Sequence, residues 1–148
     1  MLQRYGMGAL VWGSLAQGLL TGRVRKGGPN ELVRARFVTH VTDERRIEVV
    51  EQLIKLSADA GLPLTHLATA FAIAHPGVTS AIVGPRTMAH LDDLLAGAEV
   101  RLTDDLLDRI DEIVPPGTDT GTLDQAYQPP SVEQPLLRRR PAQDRAAA

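Results

Sequence analysis

Residues 9–23 read ALVWGSLAQGLLTGR and residues 75–87 read HPGVTSAIVGPRT, and these two stretches decide the fold. Each contains an apolar run, Ala9–Trp12 in the first and Thr79–Val83 in the second, which then gives way to glycine and small polar residues. Such near-continuous apolar runs are typical of parallel strands that are covered on both faces. Each strand is followed by a loop, and we expect a ligand site at these loops, because α/β barrels hold cofactor and substrate at the carboxyl ends of their strands.

Four helices are predicted, two between the strands and two after them. Apolar residues recur at helical spacing in each segment, and capping or breaking residues mark the ends. The first helix extends from Thr42 or Asp43 to Gly61, the second from Pro63 to His75, the third starts at Thr87, and the fourth extends from Thr103 to Pro115.

Composition excludes several classes of function. The 148 residues are 43% hydrophobic and 23% charged, as in an ordinary globular domain, and a net charge of −2 gives no basic surface for nucleic acid. Without cysteine, the chain has no disulfide framework, thiolate metal site or catalytic thiol. Its apolar stretches are far shorter than a membrane span, and its N-terminus lacks a leader pattern, so we expect a cytoplasmic protein with no membrane partner.

The order of strands and helices predicts an α/β fold, but two parallel strands cannot form a stable sheet alone. Both edges would carry unpaired backbone groups, and the apolar faces would be only partly covered. A (β/α)8 TIM barrel takes about 250 residues. We therefore expect residues 1–117 to form the C-terminal part of such a barrel. Residues 118–148 lack sustained periodicity, which predicts an extended, irregular and partly disordered tail.

The same two stretches resemble a known family. Residues 12–23, WGSLAQGLLTGR, are similar to the Trp-Ser-Pro-Leu-x-x-Gly-Leu-Leu-Thr-Gly-Lys stretch of aldo-keto reductases. Residues 75–87 resemble that family's last barrel strand and the loop at the adenosine phosphate, and residues 110–113 continue the match. The resemblance covers residues 6–117. It implies a (β/α)8 barrel that reduces an aldehyde or ketone by hydride transfer from NADPH to the carbonyl carbon.

The resemblance also implies a set of cofactor-binding residues. Trp12 would lie against the nicotinamide ring, and Arg23 stands at the family's lysine position, where a cation meets phosphate. The nicotinamide ribose and the pyrophosphate would be followed by Gly13, Ser14, Leu15, Ala16 and Gln17. The adenosine end would be held by Gly84, Arg86 and Thr87 at the 2′-phosphate and by His90 and Asp93 at adenine and its ribose. A guanidinium at the 2′-phosphate favours NADPH over NADH.

Four positions depart from the family pattern. Gly13 replaces the usual serine, Ser14 the usual proline, and His90 a glutamine or arginine. Leu94 replaces an asparagine that hydrogen-bonds adenine, so that amide contact is lost while the phosphate contacts are kept.

The catalytic residues of the family have no match in this chain. Aldo-keto reductases use an Asp, a Tyr, a Lys and a His together, with the tyrosine as proton donor. All four come from the first half of the barrel. Tyr5, Tyr127, Lys26 and Lys55 stand in unrelated contexts, so we expect no catalytic residue here and an inactive isolated chain.

Simpler interpretations compete with these assignments. A lone tryptophan at a strand end is more often a buried core residue, although the motif around Trp12 favours the cofactor. Arg86 could be a solvated arginine, but a cation beside a positive helix end is locally unfavourable, which favours an anionic ligand. His40, His66 and His75 have neither paired spacing nor nearby carboxylates suited to a metal site, so we expect solvent or capping roles instead.

Three functions remain open from the sequence. The chain is a C-terminal fragment of a reductase, a non-catalytic NADP-binding or interaction module, or one half of a split reductase. In the split case, a complementary N-terminal half-barrel on another polypeptide supplies the remaining strands and the catalytic residues.

Overall fold

The structure, a computed structural model, describes residues 2–29, 39–118 and 120. Each of two strands is followed by two helices in this part of the chain, which confirms the predicted α/β class. The strands are β1 (Ala9–Trp12) and β2 (Val78–Ile82), and the helices are α1 (Glu44–Asp59), α2 (Leu64–Ala74), α3 (Met88–Glu99) and α4 (Asp104–Ile113). Short 3-10 turns occur at Gln3–Tyr5, Ala16–Thr21 and Thr39–Thr42. Apart from residues 118 and 120, the predicted tail lies outside the described residues.

Local cap chemistry sets the helix ends. The side chains of Asp43, Thr87 and Thr103 each accept a hydrogen bond of 3.0–3.2 Å from a backbone N–H two or three residues later. These bonds satisfy N–H groups that the first helical turn leaves unpaired, so α1, α3 and α4 begin where the sequence predicted. After α1, Gly61 adopts a left-handed φ of +69°, a conformation that glycine reaches without strain, and the helix ends there.

The two strands form one parallel sheet. Leu10 lies opposite Ser80, and Trp12 lies opposite Ile82. Because side chains alternate across a strand, these four residues share one face, which we call the open sheet face. Trp12 is 76% exposed, Leu10 66% and Ile82 57%. β2 begins and ends one residue earlier than predicted, at Val78–Ile82.

Only one face of the two strands is covered within the described residues, as the sequence predicted for two parallel strands alone. Within the described residues, α2 packs against β2, and Val11 and Ala81 are half-buried. The open sheet face has no such cover, although Leu10 and Ile82 are as apolar as a buried strand requires. A continuous apolar run thus indicates that both faces of a strand are suited to burial. Whether they are buried depends on the elements that surround the strand. That the two strands belong to a larger barrel stays a prediction.

The hydrophobic core lies beside the sheet, between the helices. Its buried members come from the loop after β1, from α1, α2 and α4, and from the segments between them: Leu19, Val24, Val41, Val50, Leu56, Leu64, Leu67, Ala70, Leu102, Leu106, Leu107 and Ile110. Each fully buried Leu or Val contributes about 1.5–3 kcal/mol to stability. The helices therefore hold together largely independently of the open sheet face, and they fix the loop that follows β1.

We expect the chain, produced by itself, to self-associate through the open sheet face and the unpaired strand edges. Substituting Leu10→Thr and Ile82→Thr together removes two apolar side chains from that face and should shift the protein toward monomer. The matched control is Met7→Thr with Met88→Thr, two exposed apolar residues outside the face, which should change little. Size-exclusion chromatography with light scattering measures the difference. A monomeric unsubstituted chain with a cooperative thermal transition would contradict the prediction.

Candidate cofactor site

Parallel pairing places two loops at one edge of the sheet. The first loop, residues 13–22, leaves the carboxyl end of β1, and the second loop, residues 83–87, leaves the carboxyl end of β2. Both ends lie at the same edge because the strands run in the same direction. The structure thus brings the two groups of candidate cofactor residues, which are about sixty positions apart in sequence, to a common side of the fold.

The first loop is tightly wound and locally strained. Gly13, Gly18 and Gly22 have φ angles of 76°, 107° and 74°, and the two non-glycine residues Ala16 and Gln17 have φ angles of 46° and 57°. A side chain at positive φ brings Cβ close to the carbonyl oxygen, at a cost of roughly 1–2 kcal/mol per residue. Strain of this kind persists only where the surrounding structure holds the backbone in place.

Buried anchors and internal hydrogen bonds hold the first loop. Leu19 and Val24 lie in the core at 3% and 1% exposure. The N–H of Gly18 donates to the carbonyl oxygen of Leu15 at 2.8 Å, and the Thr21 hydroxyl donates to the carbonyl oxygen of Gly18 at 2.6 Å. These contacts constrain the loop from within the chain, and such a constraint favours a preorganised binding site.

Replacing Gln17 with glycine should stabilise the chain. The relief of left-handed strain, roughly 1–2 kcal/mol, offsets the entropy cost of glycine, roughly 0.5–1 kcal/mol, so we expect a gain of up to about 1.5 kcal/mol. The control is Gln52→Gly, the same substitution at an exposed position inside α1, which should destabilise by about 1 kcal/mol. Thermal denaturation of both variants tests the sign, and a loss of stability in Gln17→Gly would show that the loop is not strained there.

An ionic clamp fixes the chain just beyond the first loop. Nε and Nη2 of Arg25 each donate to a carboxylate oxygen of Glu51 on α1 at 2.7 Å, and the N–H of Lys26 adds a third bond at 2.9 Å. The Arg25 hydrogen bonds, followed by that of the Lys26 N–H, lower the pKa of Glu51 from 4.5 to about 2. Lys26 also pairs with Glu48 at 3.1 Å. The clamp ties the exit of the first loop to the surface of α1.

The Glu51 clamp predicts a pH dependence of stability. The folded pKa of Glu51 lies below its ordinary value, so its contribution is present above pH 4.5 and is lost as the pH falls toward about 2. We expect Glu51→Gln to lower the melting temperature slightly at pH 7, with a difference that shrinks between pH 4.5 and 2. The pair is solvent-exposed, so salt should weaken the effect. Glu48→Gln is the control and should have a smaller effect; an NMR titration of Glu51 with an ordinary pKa would contradict the clamp.

The second loop leads directly into α3. Arg86 is exposed at the start of this helix and has no ion-pair partner among the described residues. The Thr87 hydroxyl accepts the N–H of His90 at 3.2 Å, so its oxygen is used as the helix cap. The His90 side chain is half-buried. A free guanidinium beside the positive end of a helix makes this the most favourable place for an anion that the second loop offers.

The remaining candidate residues take different positions around the two loops. Trp12 projects from the carboxyl end of β1 on the open sheet face, which rules out the simpler interpretation of a buried core aromatic in the described chain. Arg23 is exposed at the end of the first loop, where its N–H contacts the Thr21 hydroxyl at 3.4 Å. Leu94 is buried at 7% exposure, so the position that departs from the family's asparagine here serves packing.

One contact was missed by the sequence analysis. Nε2 of His66 on α2 lies 2.9 Å from Oδ1 of Asp93 on α3, so this side chain pairs with a carboxylate, whereas the sequence predicted a solvent or capping role. The partners are 27 residues apart in sequence, and only the packing of α2 on α3 brings them together. For His75 the local capping role is confirmed, because its Nδ1 accepts the N–H of Gly77 at 2.9 Å.

Two residues set aside as catalytic candidates have local roles. The guanidinium of Arg4 lies 5.8 Å from the centre of the Tyr5 ring, and Lys26 belongs to the ionic clamp. Tyr127 lies outside the described residues. Across the part of the chain that the structure covers, no three His, Asp or Glu residues cluster in a way that could hold a metal ion. No described helix has the length and apolarity needed to cross a membrane.

Comparison with known proteins decides the family. The model of the aldo/keto reductase family matches residues 1–115, more than half of the chain. The chain belongs to the aldo/keto reductase family. It is 31% identical over 116 residues to an uncharacterized oxidoreductase, YrpG, of Bacillus subtilis, covering 78% of this chain and 35% of that protein. It is 28% identical over 121 residues to a putative voltage-gated potassium channel subunit beta of Schizosaccharomyces pombe, covering 76% and 35%.

A solved structure supports the fold of this aldo/keto reductase family member. The glycerol dehydrogenase of Gluconobacter oxydans superposes with a TM-score of 0.63 at 21% identity, over 83% of this chain and 40% of that protein. This likeness supports the α/β barrel fold. The chain spans about a third of the length of the curated relatives it matches.

Proposed function

We propose that the chain forms the NADPH-binding part of an aldo/keto reductase that reduces an aldehyde or ketone. In this proposal Trp12 lies against the nicotinamide ring, the first loop and Arg23 follow the pyrophosphate, and Arg86 binds the 2′-phosphate. His90 and Asp93 lie at the adenosine. Family membership supports a nicotinamide cofactor, and the positions of the two loops support the assignment of residues. The preference for NADPH and the cytoplasmic location stay predictions.

The observation that carries the proposal is an unpaired cation in an open setting. Arg86 is exposed at the start of α3 without an ion-pair partner among the described residues. A Cβ atom placed on Gly84 would meet no atom within 4 Å, so packing within the chain does not require glycine there, whereas the left-handed φ of 76° accounts for Gly13. The second loop thus offers both open space beside its backbone and a guanidinium without an ion-pair partner among the described residues. This combination suits a dinucleotide phosphate better than an internal structural role.

The chemistry divides between this chain and the rest of the reductase. Bound NADPH supplies the hydride that adds to the carbonyl carbon, while a proton must reach the carbonyl oxygen. Trp12 is exposed enough to cover one face of the nicotinamide, which leaves the other face to the substrate. No residue of this chain is assigned as proton donor. We therefore propose that the donor comes from barrel strands that this sequence does not include.

The same strands would cover the open sheet face. Leu10 and Ile82 present apolar surface where a barrel interior would be packed, and the two strands leave their outer edges without a described partner. A complementary N-terminal half-barrel, in the same polypeptide or a separate one, would bury this surface and supply the catalytic groups. The isolated chain should accordingly bind cofactor weakly and oxidise no NADPH in the presence of an aldehyde.

Quenching of the fluorescence of Trp12, the single tryptophan, tests the proposal. The chain is produced with a tryptophan-free solubility tag and titrated with NADPH and with NADH. We expect saturable quenching that is stronger for NADPH. Arg86→Gln should raise the dissociation constant for NADPH roughly 10-fold or more, because charge-assisted hydrogen bonds to the 2′-phosphate are lost. NADH lacks that phosphate, so its binding should stay almost unchanged.

The matched control is Arg109→Gln, which removes an exposed arginine that pairs with Asp59 at 3.4 Å, outside both loops. It should bind both cofactors as the unsubstituted chain does. No saturable quenching in soluble protein would overturn the cofactor assignment. NADPH oxidation by the isolated chain, followed at 340 nm with an aldehyde, would overturn the proposal that the proton donor lies elsewhere.

A further inference from the structure

The pair formed by His66 and Asp93 joins the candidate adenosine site to a second helix. The His66 side chain on α2 is 16% exposed, and the Asp93 side chain on α3 is 41% exposed. One carboxylate oxygen, Oδ1, lies 2.9 Å from Nε2 of His66. A carboxylate has two oxygens with about four acceptor positions, so this contact leaves Asp93 able to accept further hydrogen bonds from solvent or a ligand.

The close approach of α2 and α3 at Gly97 makes the contact possible. Asp93 and Gly97 are four residues apart and so lie on the same side of α3. A Cβ atom on Gly97 would come within 3.0 Å of the His66 Cα and 3.3 Å of its Cδ2. The missing side chain lets the two backbones approach, and the imidazole lies against the helix one turn below the carboxylate. His66 is therefore held in place from two directions, by Gly97 and by Asp93.

We propose that His66 is a positioning residue that orients the carboxylate of Asp93 toward the adenosine of the bound dinucleotide. This inference rests on the proposed function, in which Asp93 lies at that end of the site. Adenosine offers hydrogen-bond donors in its amino group and its ribose hydroxyl, and a carboxylate is an acceptor for either. An unrestrained, partly exposed aspartate loses side-chain entropy when a ligand binds, whereas one already fixed by an imidazole loses less.

Substitutions at both ends of the pair separate positioning from simple stabilisation. Each variant is titrated with NADPH through Trp12 fluorescence, and its melting temperature is measured in parallel. His66→Leu removes the hydrogen bond to Asp93. It should raise the dissociation constant for NADPH roughly 3- to 10-fold, because this is the usual effect of losing one hydrogen bond. His66→Gln is the conservative variant, because its amide N–H can donate to Asp93, and it should bind within about 2-fold of the unsubstituted chain.

The double variant decides whether His66 acts through Asp93. If it does, His66→Leu combined with Asp93→Ala binds no more weakly than Asp93→Ala alone. Additive losses would overturn the inference, as would a His66→Leu variant that melts at lower temperature but binds NADPH normally. If His66→Leu fails to fold, His66→Asn keeps a polar side chain too short to reach Asp93 and provides the same test.

Failure of the inference can be told apart from failure of the proposed function. Binding that depends on Arg86 but not on His66 overturns the inference alone. No saturable binding of NADPH by the unsubstituted chain overturns both, because Asp93 then has no ligand to meet.

Discussion

β1 and β2 pair in parallel, and this pairing determines where the helices and the two loops lie. Parallel strands need a crossover, and α1 and α2 provide it and build the core on their way back to the sheet. The same pairing places the first and second loops at one edge, so the candidate site follows from strand direction alone. It also leaves the open sheet face on the side that the crossover does not reach.

Contacts outside the first loop add to the internal hydrogen bonds that hold it. Its backbone adopts left-handed angles at Ala16 and Gln17 that these residues disfavour. Leu19 is buried in the helical core, and the clamp between Arg25 and Glu51 holds the exit against α1. The strain at the sheet edge is therefore sustained by hydrophobic burial and by charge at some distance. A loop fixed in this way can present backbone groups to a phosphate without first having to order itself.

The sequence predicted features whose cause is local. The caps at Asp43, Thr87 and Thr103 set helix ends by hydrogen bonds that span two or three residues, and β1 was correct to the residue. The sequence did not predict the pairs His66–Asp93 and Arg25–Glu51, because their partners are 27 and 26 residues apart and meet only through tertiary packing. The partly covered sheet was predicted, because two parallel strands alone have too few neighbours to bury both faces. The two loops were found through a family resemblance, and their ligand remains a proposal.

Trp12 links the candidate site to the open sheet face. It stands at the carboxyl end of β1, next to the first loop, and it also belongs to the open sheet face. Deeper in that face, Leu10 and Ile82 suit the packed interior of a barrel, whereas the indole at the rim suits a flat cofactor ring. If further barrel strands covered this face, as we propose, they would bury the deeper residues and form the wall opposite Trp12. Cofactor binding and completion of the barrel should therefore reinforce each other, because each removes apolar surface that borders the other.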